Sequence, residues 1–161
     1  MLEKIEQWID NTNNHYKAKR ISCSRFEHEF SGYYSAEFLQ ESFFVVVDEI
    51  PKPDFPELSA MGLSEFVNMD VAGITYKNTY YVLEHVVNNM RVHFHELVHV
   101  AQWAKLGALG FMTRYITEIQ KYGYHNAPLE IMAYTLDEQF SRASPSIDVL
   151  KYVAKKLNAE G

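Results

Sequence analysis

The chain has 161 residues, 47% of them hydrophobic and 22% charged, with a formal net charge of −6. This length suits one domain spanning residues 1–161 with its own core, and the composition argues against intrinsic disorder. The acidic balance and the lack of any Lys/Arg cluster exclude a phosphate-backbone footprint, so no nucleic-acid partner is expected.

The N-terminal stretch "MLEKIEQWIDNTNN" places Leu2, Ile5, Trp8 and Ile9 at helical spacing, which predicts an amphipathic helix packed on the domain. It lacks a basic start followed by a continuous apolar run, and no later segment reaches the roughly 18 to 20 apolar residues of a membrane span. A soluble, cytoplasmic chain is the expectation, with export by a route needing no cleaved signal left open. Cys23 is the only cysteine, which excludes an internal disulfide and is compatible with a reducing compartment.

"GYYSAEFLQ" predicts a second short helix with Tyr34, Phe38 and Leu39 inward, and Phe43 to Val47, β-branched and aromatic, a buried strand. "PKPDFPE", with three prolines, predicts an extended loop. "VAGITY" and "TYYVLEHVV" around Lys77 and Asn78 predict a tight hairpin, hence antiparallel strands. Asn88 or Asn89 suits the N-cap of a helix running to about Leu106, which Gly107 ends. "GFMTRYITEIQKY" predicts another helix ended by Gly123, "YHNAPLEIMAYTLDEQF" one capped by Asn126 with Pro128 in its first turn, and "SIDVLKYVAKKL" a last one. The predicted class is α+β: mainly helical, with a small antiparallel sheet.

The chemistry concentrates in "RVHFHELVHVAQW", residues 91–103. His95 and His99, four apart, share one helix face and can present both imidazoles to one point. "HELVH" matches H-E-x-x-H, in which two histidines bind zinc and the glutamate acts as general base toward a metal-bound water. Glu96, turned by about 100° from His95, sits beside such a metal and not on it. Val92, Phe94, Leu97, Val98, Val100, Ala101, Trp103 and Leu106 make this helix apolar nearly all round. Burying two imidazoles and a carboxylate there is costly unless a cation compensates, so Zn²⁺ is the expected cofactor. His93, turned about 200° from His95, reads as a core residue or a support for the ligands, while His15, His28 and His85 have no partner at ligand spacing.

A catalytic zinc usually takes three protein ligands. The metzincin extension is excluded, because Gln102 and Lys105 stand where its glycine and third histidine belong. Glu130 in "NAPLEIMAY" is the strongest candidate, with His125, Asp137 and Glu138 as competitors. "HELVH" followed by "PLEIMAY" resembles the gluzincin branch of zinc metallopeptidases, in its compact, minimal members; the shared motifs cover about residues 75–140. That resemblance implies a zincin-like domain in which Glu130, in an E-x-x-A setting with Ala133, is the third ligand. Asp137, two turns beyond Glu130, could orient His95 or His99. The resemblance also implies a Tyr or His near the oxyanion, for which Tyr115, Tyr122, Tyr124 and His125 are all available, and an edge strand for an extended substrate, assigned to Thr79–Leu83. The expected activity is hydrolysis of a peptide or protein substrate. A zincin-like binding module without turnover, or an effector protease with one protein target, would use the same residues.

Overall fold

The computed structural model describes residues 1–160, and the side chains of 1–158. The helices are α1 (Leu2–His15), α2 (Ala36–Gln40), α3 (Pro56–Ala60), α4 (Ser64–Asn68), α5 (Met90–Tyr122), α6 (Pro128–Ser141) and α7 (Val149–Glu160). Four short strands accompany them, β1 (Ile21–Ser22), β2 (Phe43–Val47), β3 (Gly73–Tyr76) and β4 (Thr79–Leu83), so the chain is α+β and mainly helical. No helix among the described residues is long and apolar enough to cross a membrane.

The sheet differs from the expected antiparallel one. Its order is β1-β2-β4-β3, with β1/β2 and β3/β4 antiparallel but β2/β4 parallel. A tight hairpin dictates only the β3/β4 pairing; β2 reaches β4 through a long crossover carrying α3 and α4, and such connections permit parallel pairing. Consequently Thr79–Leu83 is not an edge strand: β4 is paired on both sides, and β1 and β3 form the two edges. Tyr80, Tyr81 and Val82 are accordingly fully buried.

The hairpin turns at Lys77, which adopts a positive φ of 62°. Asn89 caps α5, its Oδ1 accepting from the Arg91 and Val92 amides. Within α5, residues 93–103 are all buried, so this segment lies between the sheet and the later helices. Pro56 opens α3 instead of continuing a loop, as proline at a first helical position can. Asn126 does not cap α6; Ala127 holds the cap position, and the Glu118 carboxylate accepts from the Leu129 amide at 2.9 Å.

Gly107 breaks α5 into legs 90–106 and 108–122, with φ 75° and ψ 167°. The break allows Phe111 to stack on Trp103, ring centroids 4.2 Å apart, and Tyr115 to stack on Phe111. The kink therefore carries the Tyr115 hydroxyl back toward the middle of the first leg. That backbone conformation is essentially restricted to glycine, at a cost of about 1–3 kcal/mol for other residues. A Cβ on Gly107 would meet nothing within 4 Å, so Gly107→Ala isolates the backbone effect. It should lower stability by about 1–3 kcal/mol, read from denaturant unfolding, with unchanged secondary-structure content.

Candidate metal centre

Two helices build the centre. Leg 90–106 of α5 supplies His95, Glu96 and His99, and α6, packed against it, supplies Glu130. Ala133, one turn after Glu130, is fully buried, and its small side chain suits close helix approach. His95, Glu96, His99 and Glu130 are 6%, 6%, 4% and 2% exposed, so the polar cluster is removed from bulk water.

Glu130 Oε1 lies 3.1 Å from His95 Nε2 and 3.1 Å from His99 Nε2. One ligand atom from each of these three residues falls within 4.8 Å of the others. Each imidazole is held at its far nitrogen by an acceptor. His95 Nδ1 donates to Asp137 Oδ2 at 2.8 Å, and His99 Nδ1 donates to Gln102 Oε1 at 2.7 Å. The amide of Gln102 is oriented in turn, its Nε2 donating to the Leu129 carbonyl at 3.0 Å. With protons committed at Nδ1, the neutral rings aim Nε2 lone pairs at a carboxylate oxygen. Three electron-rich atoms meet with no proton of their own to separate them, an arrangement that requires a positive charge among them.

A divalent cation satisfies that requirement. Ligand atoms around a four-coordinate zinc, at bonds of about 2.0–2.1 Å, stand roughly 3.3 Å apart, close to the two nitrogen–oxygen spacings of 3.1 Å. Two imidazole nitrogens and one carboxylate oxygen also form a donor set characteristic of catalytic zinc, and second hydrogen bonds from ligating histidines are their usual support. The residues present therefore fit the ion. In the metal-free protein, additional protons on the imidazoles fill the same role. Burial disfavours the charged ring of His95, but hydrogen bonds to Asp137 and Glu130 outweigh it and raise its pKa to about 10. His99 moves upward for a related reason, burial being overcome by Glu130. Glu130 is held far below the carboxylate range, its burial being outweighed by both histidines.

Glu96 stands beside the triad without joining it. Its Oε1 accepts a 2.8 Å hydrogen bond from Thr75 Oγ1 on β3, and a Cβ at Gly73 would lie 3.0 Å from its Oε2. Burial pushes its pKa up, against the pull of His95 and His99. Gly73 thus gives the carboxylate the space that any larger residue would invade.

Other candidates separate clearly. Asp137 supports His95 and accepts from Arg91 Nε at 2.6 Å. Glu138 is exposed and pairs with Arg142, and His125 is exposed beside the cleft. Tyr115 donates to Glu130 Oε2 at 2.6 Å and so orients that carboxylate. Tyr122 is 46% exposed, whereas Tyr124 lines the cleft, its hydroxyl 3.3 Å from that of Tyr134. His93 belongs to the core, with Nδ1 2.6 Å from the Tyr80 hydroxyl and Nε2 2.7 Å from the Val87 carbonyl. Sequence reading missed Gln102, Thr75 and Tyr134 as site residues. Spacing could have flagged Gln102, three after His99, and Tyr134, four after Glu130; nothing local marks Thr75.

No protein-family model matches the chain, and searches of curated proteins and of solved structures also found no match.

Two outcomes follow from this geometry. Chelator competition should give near-stoichiometric zinc binding, abolished by His95→Ala, with Gln102→Ala and Asp137→Asn each weakening affinity about 10–100-fold. In chelated protein, the raised His95 pKa stabilises the fold fully below its ordinary 6.5, and this contribution disappears as pH climbs toward about 10. Thermal midpoints of metal-free wild type should fall across that window, and His95→Gln should lack this component.

Proposed function

We propose that the chain is a zinc-dependent hydrolase acting on peptide bonds, a compact gluzincin-like metallopeptidase. The observation that carries this reading is the placement of Glu96: a buried carboxylate anchored by Thr75, adjacent to two histidines and a glutamate but not part of their cluster. A structural zinc site takes four protein ligands and has no use for such a neighbour.

His95, His99 and Glu130 would hold the ion, with Asp137, Gln102 and Tyr115 fixing their orientation. When bound there, zinc supplies a Lewis acid for the scissile carbonyl and makes water acidic near neutral pH. Glu96 accepts the proton of the attacking water and passes it to the leaving amine, a transfer that its burial-raised proton affinity favours. Tyr124 and Tyr134 bring phenolic hydroxyls to the same cleft, where they can donate to the developing oxyanion.

The preference for a peptide substrate rests on β3. It is one of the two sheet edges, and Gly73 at its start borders the cleft next to Glu96. An extended peptide can add itself as a further strand there, which fixes its direction through backbone hydrogen bonds.

Glu96→Gln is close to isosteric and leaves the ligands in place. It should retain zinc but lower turnover of a broad peptide library by about 10²–10⁴-fold. Bound zinc in both proteins with no cleavage by either would favour a binding module; a substrate captured from lysate by Glu96→Gln and cut only by wild type would instead identify an effector-like protease with a single target.

A further inference from the structure

The centre lies where an apolar and a mixed, more polar compartment meet. On one side is a cavity with a free volume of about 100 Å³, bordered by Glu96, His99 and Glu130. Its remaining wall is overwhelmingly apolar and comes from elements far apart in sequence, including Ile9 of α1, Leu58 of α3, Phe66 and Val67 of α4, and Trp103 and Ile116 of α5. On the other side is a more open cleft of about 370 Å³ bordered by His95 and Glu96 and lined by Asp70, Asn89, Arg91, His125 and Asp137. Gly73, Glu96 and Tyr124 border both, so the base is reached from either side.

We infer that the site binds an amphipathic ligand, with a single apolar group about the size of a benzene ring in the cavity and the polar remainder in the cleft. The inference deepens the hydrolase reading by naming the substrate class, and it depends on that reading only for what happens after binding. Size and lining favour it. An apolar cavity of roughly 150 Å³ stays dry and takes up benzene, whereas a water needs two to four polar partners to settle. The only charged or imidazole groups at its border are Glu96, His99 and Glu130 of the centre itself. Although Trp103 Nε1 is buried there without a hydrogen-bond partner among the described residues, the aliphatic and aromatic wall offers too few polar partners to settle a water, so an apolar occupant is favoured over solvent. Each methylene transferred into such a cavity should tighten binding about fourfold.

The polar compartment gives the remainder a complementary contact. Arg91, which lines the cleft, is half exposed and uses Nε for Asp137; among the described residues no other hydrogen bond of its guanidinium is seen, which leaves its terminal nitrogens available to an acceptor. Ile116 and Val67 are half-buried residues of the cavity wall outside the His95, His99, Glu130 and Glu96 set, so the cavity can be filled at them while that set is kept.

The test uses three monocarboxylates of equal charge, acetate, hexanoate and 3-phenylpropanoate, titrated calorimetrically into wild type, Ile116→Trp and Val67→Trp, with zinc content and circular dichroism measured on each. In wild type, at least one of the two larger acids should bind tenfold or more tightly than acetate. A better fit for hexanoate would identify an aliphatic or short acyl occupant, and a better fit for 3-phenylpropanoate an aromatic side chain. Whichever filled variant retains the native spectrum should lose that preference at unchanged zinc content. Equal binding of all three acids to wild type, or a preference that survives in a folded, filled variant, would overturn the inference. Because binding is measured, lack of zinc would count against the hydrolase reading and leave this result readable by itself.

Discussion

One carboxylate oxygen lying 3.1 Å from each of two imidazole nitrogens, in a water-poor interior, is the constraint around which this structure is arranged. Such a group is unfavourable unless positive charge lies among its members. Much of the surrounding architecture serves to hold it together. Asp137 and Gln102 take the far side of each ring, Tyr115 takes the second oxygen of Glu130, and Ala133 helps α6 lie close to α5. The kink at Gly107 extends the same support, since without it the second leg of α5 would carry Tyr115 away from Glu130.

The sheet orients Glu96. β3 lies against α5, and this brings Thr75 to the carboxylate of Glu96 while leaving room for it beside Gly73. Glu96 is therefore oriented by an element different from those that orient His95, His99 and Glu130. This division explains how Glu96 can stay next to the ligand cluster without entering it: its hydrogen bond to Thr75 draws it toward the sheet edge, where a peptide would lie under the proposed function.

Much of the centre was legible because it is encoded locally. The i, i+4 spacing of His95 and His99 on an apolar helix, and the glutamate between them, already specify a shared face and a buried setting. Glu130 was legible from its motif, and its arrival at the pair depends on helix packing that periodicity can suggest but not fix. The sheet was read less well. Lys77 and Asn78 mark the hairpin, yet which neighbour β4 takes on its other side depends on a long crossover, so neither the parallel β2/β4 pairing nor the identity of the edge strand follows from local pattern. α3 and α4 lack the side-chain N-cap that marks the start of the equally short α2, where Ser35 accepts from the Phe38 amide. Thr75 carries no local mark because its role exists only through tertiary contact.

The central claim is that this trio of atoms coordinates a metal ion through two nitrogens and one oxygen. X-ray absorption at the zinc edge, recorded on protein loaded with one equivalent, tests it most directly, read together with an anomalous difference map from crystals of the same sample. The account predicts a single strong anomalous peak between His95, His99 and Glu130, with a light-atom coordination shell of nitrogen and oxygen at about 2.0–2.1 Å. A spectrum of hydrated zinc, with no peak at that position, would contradict it.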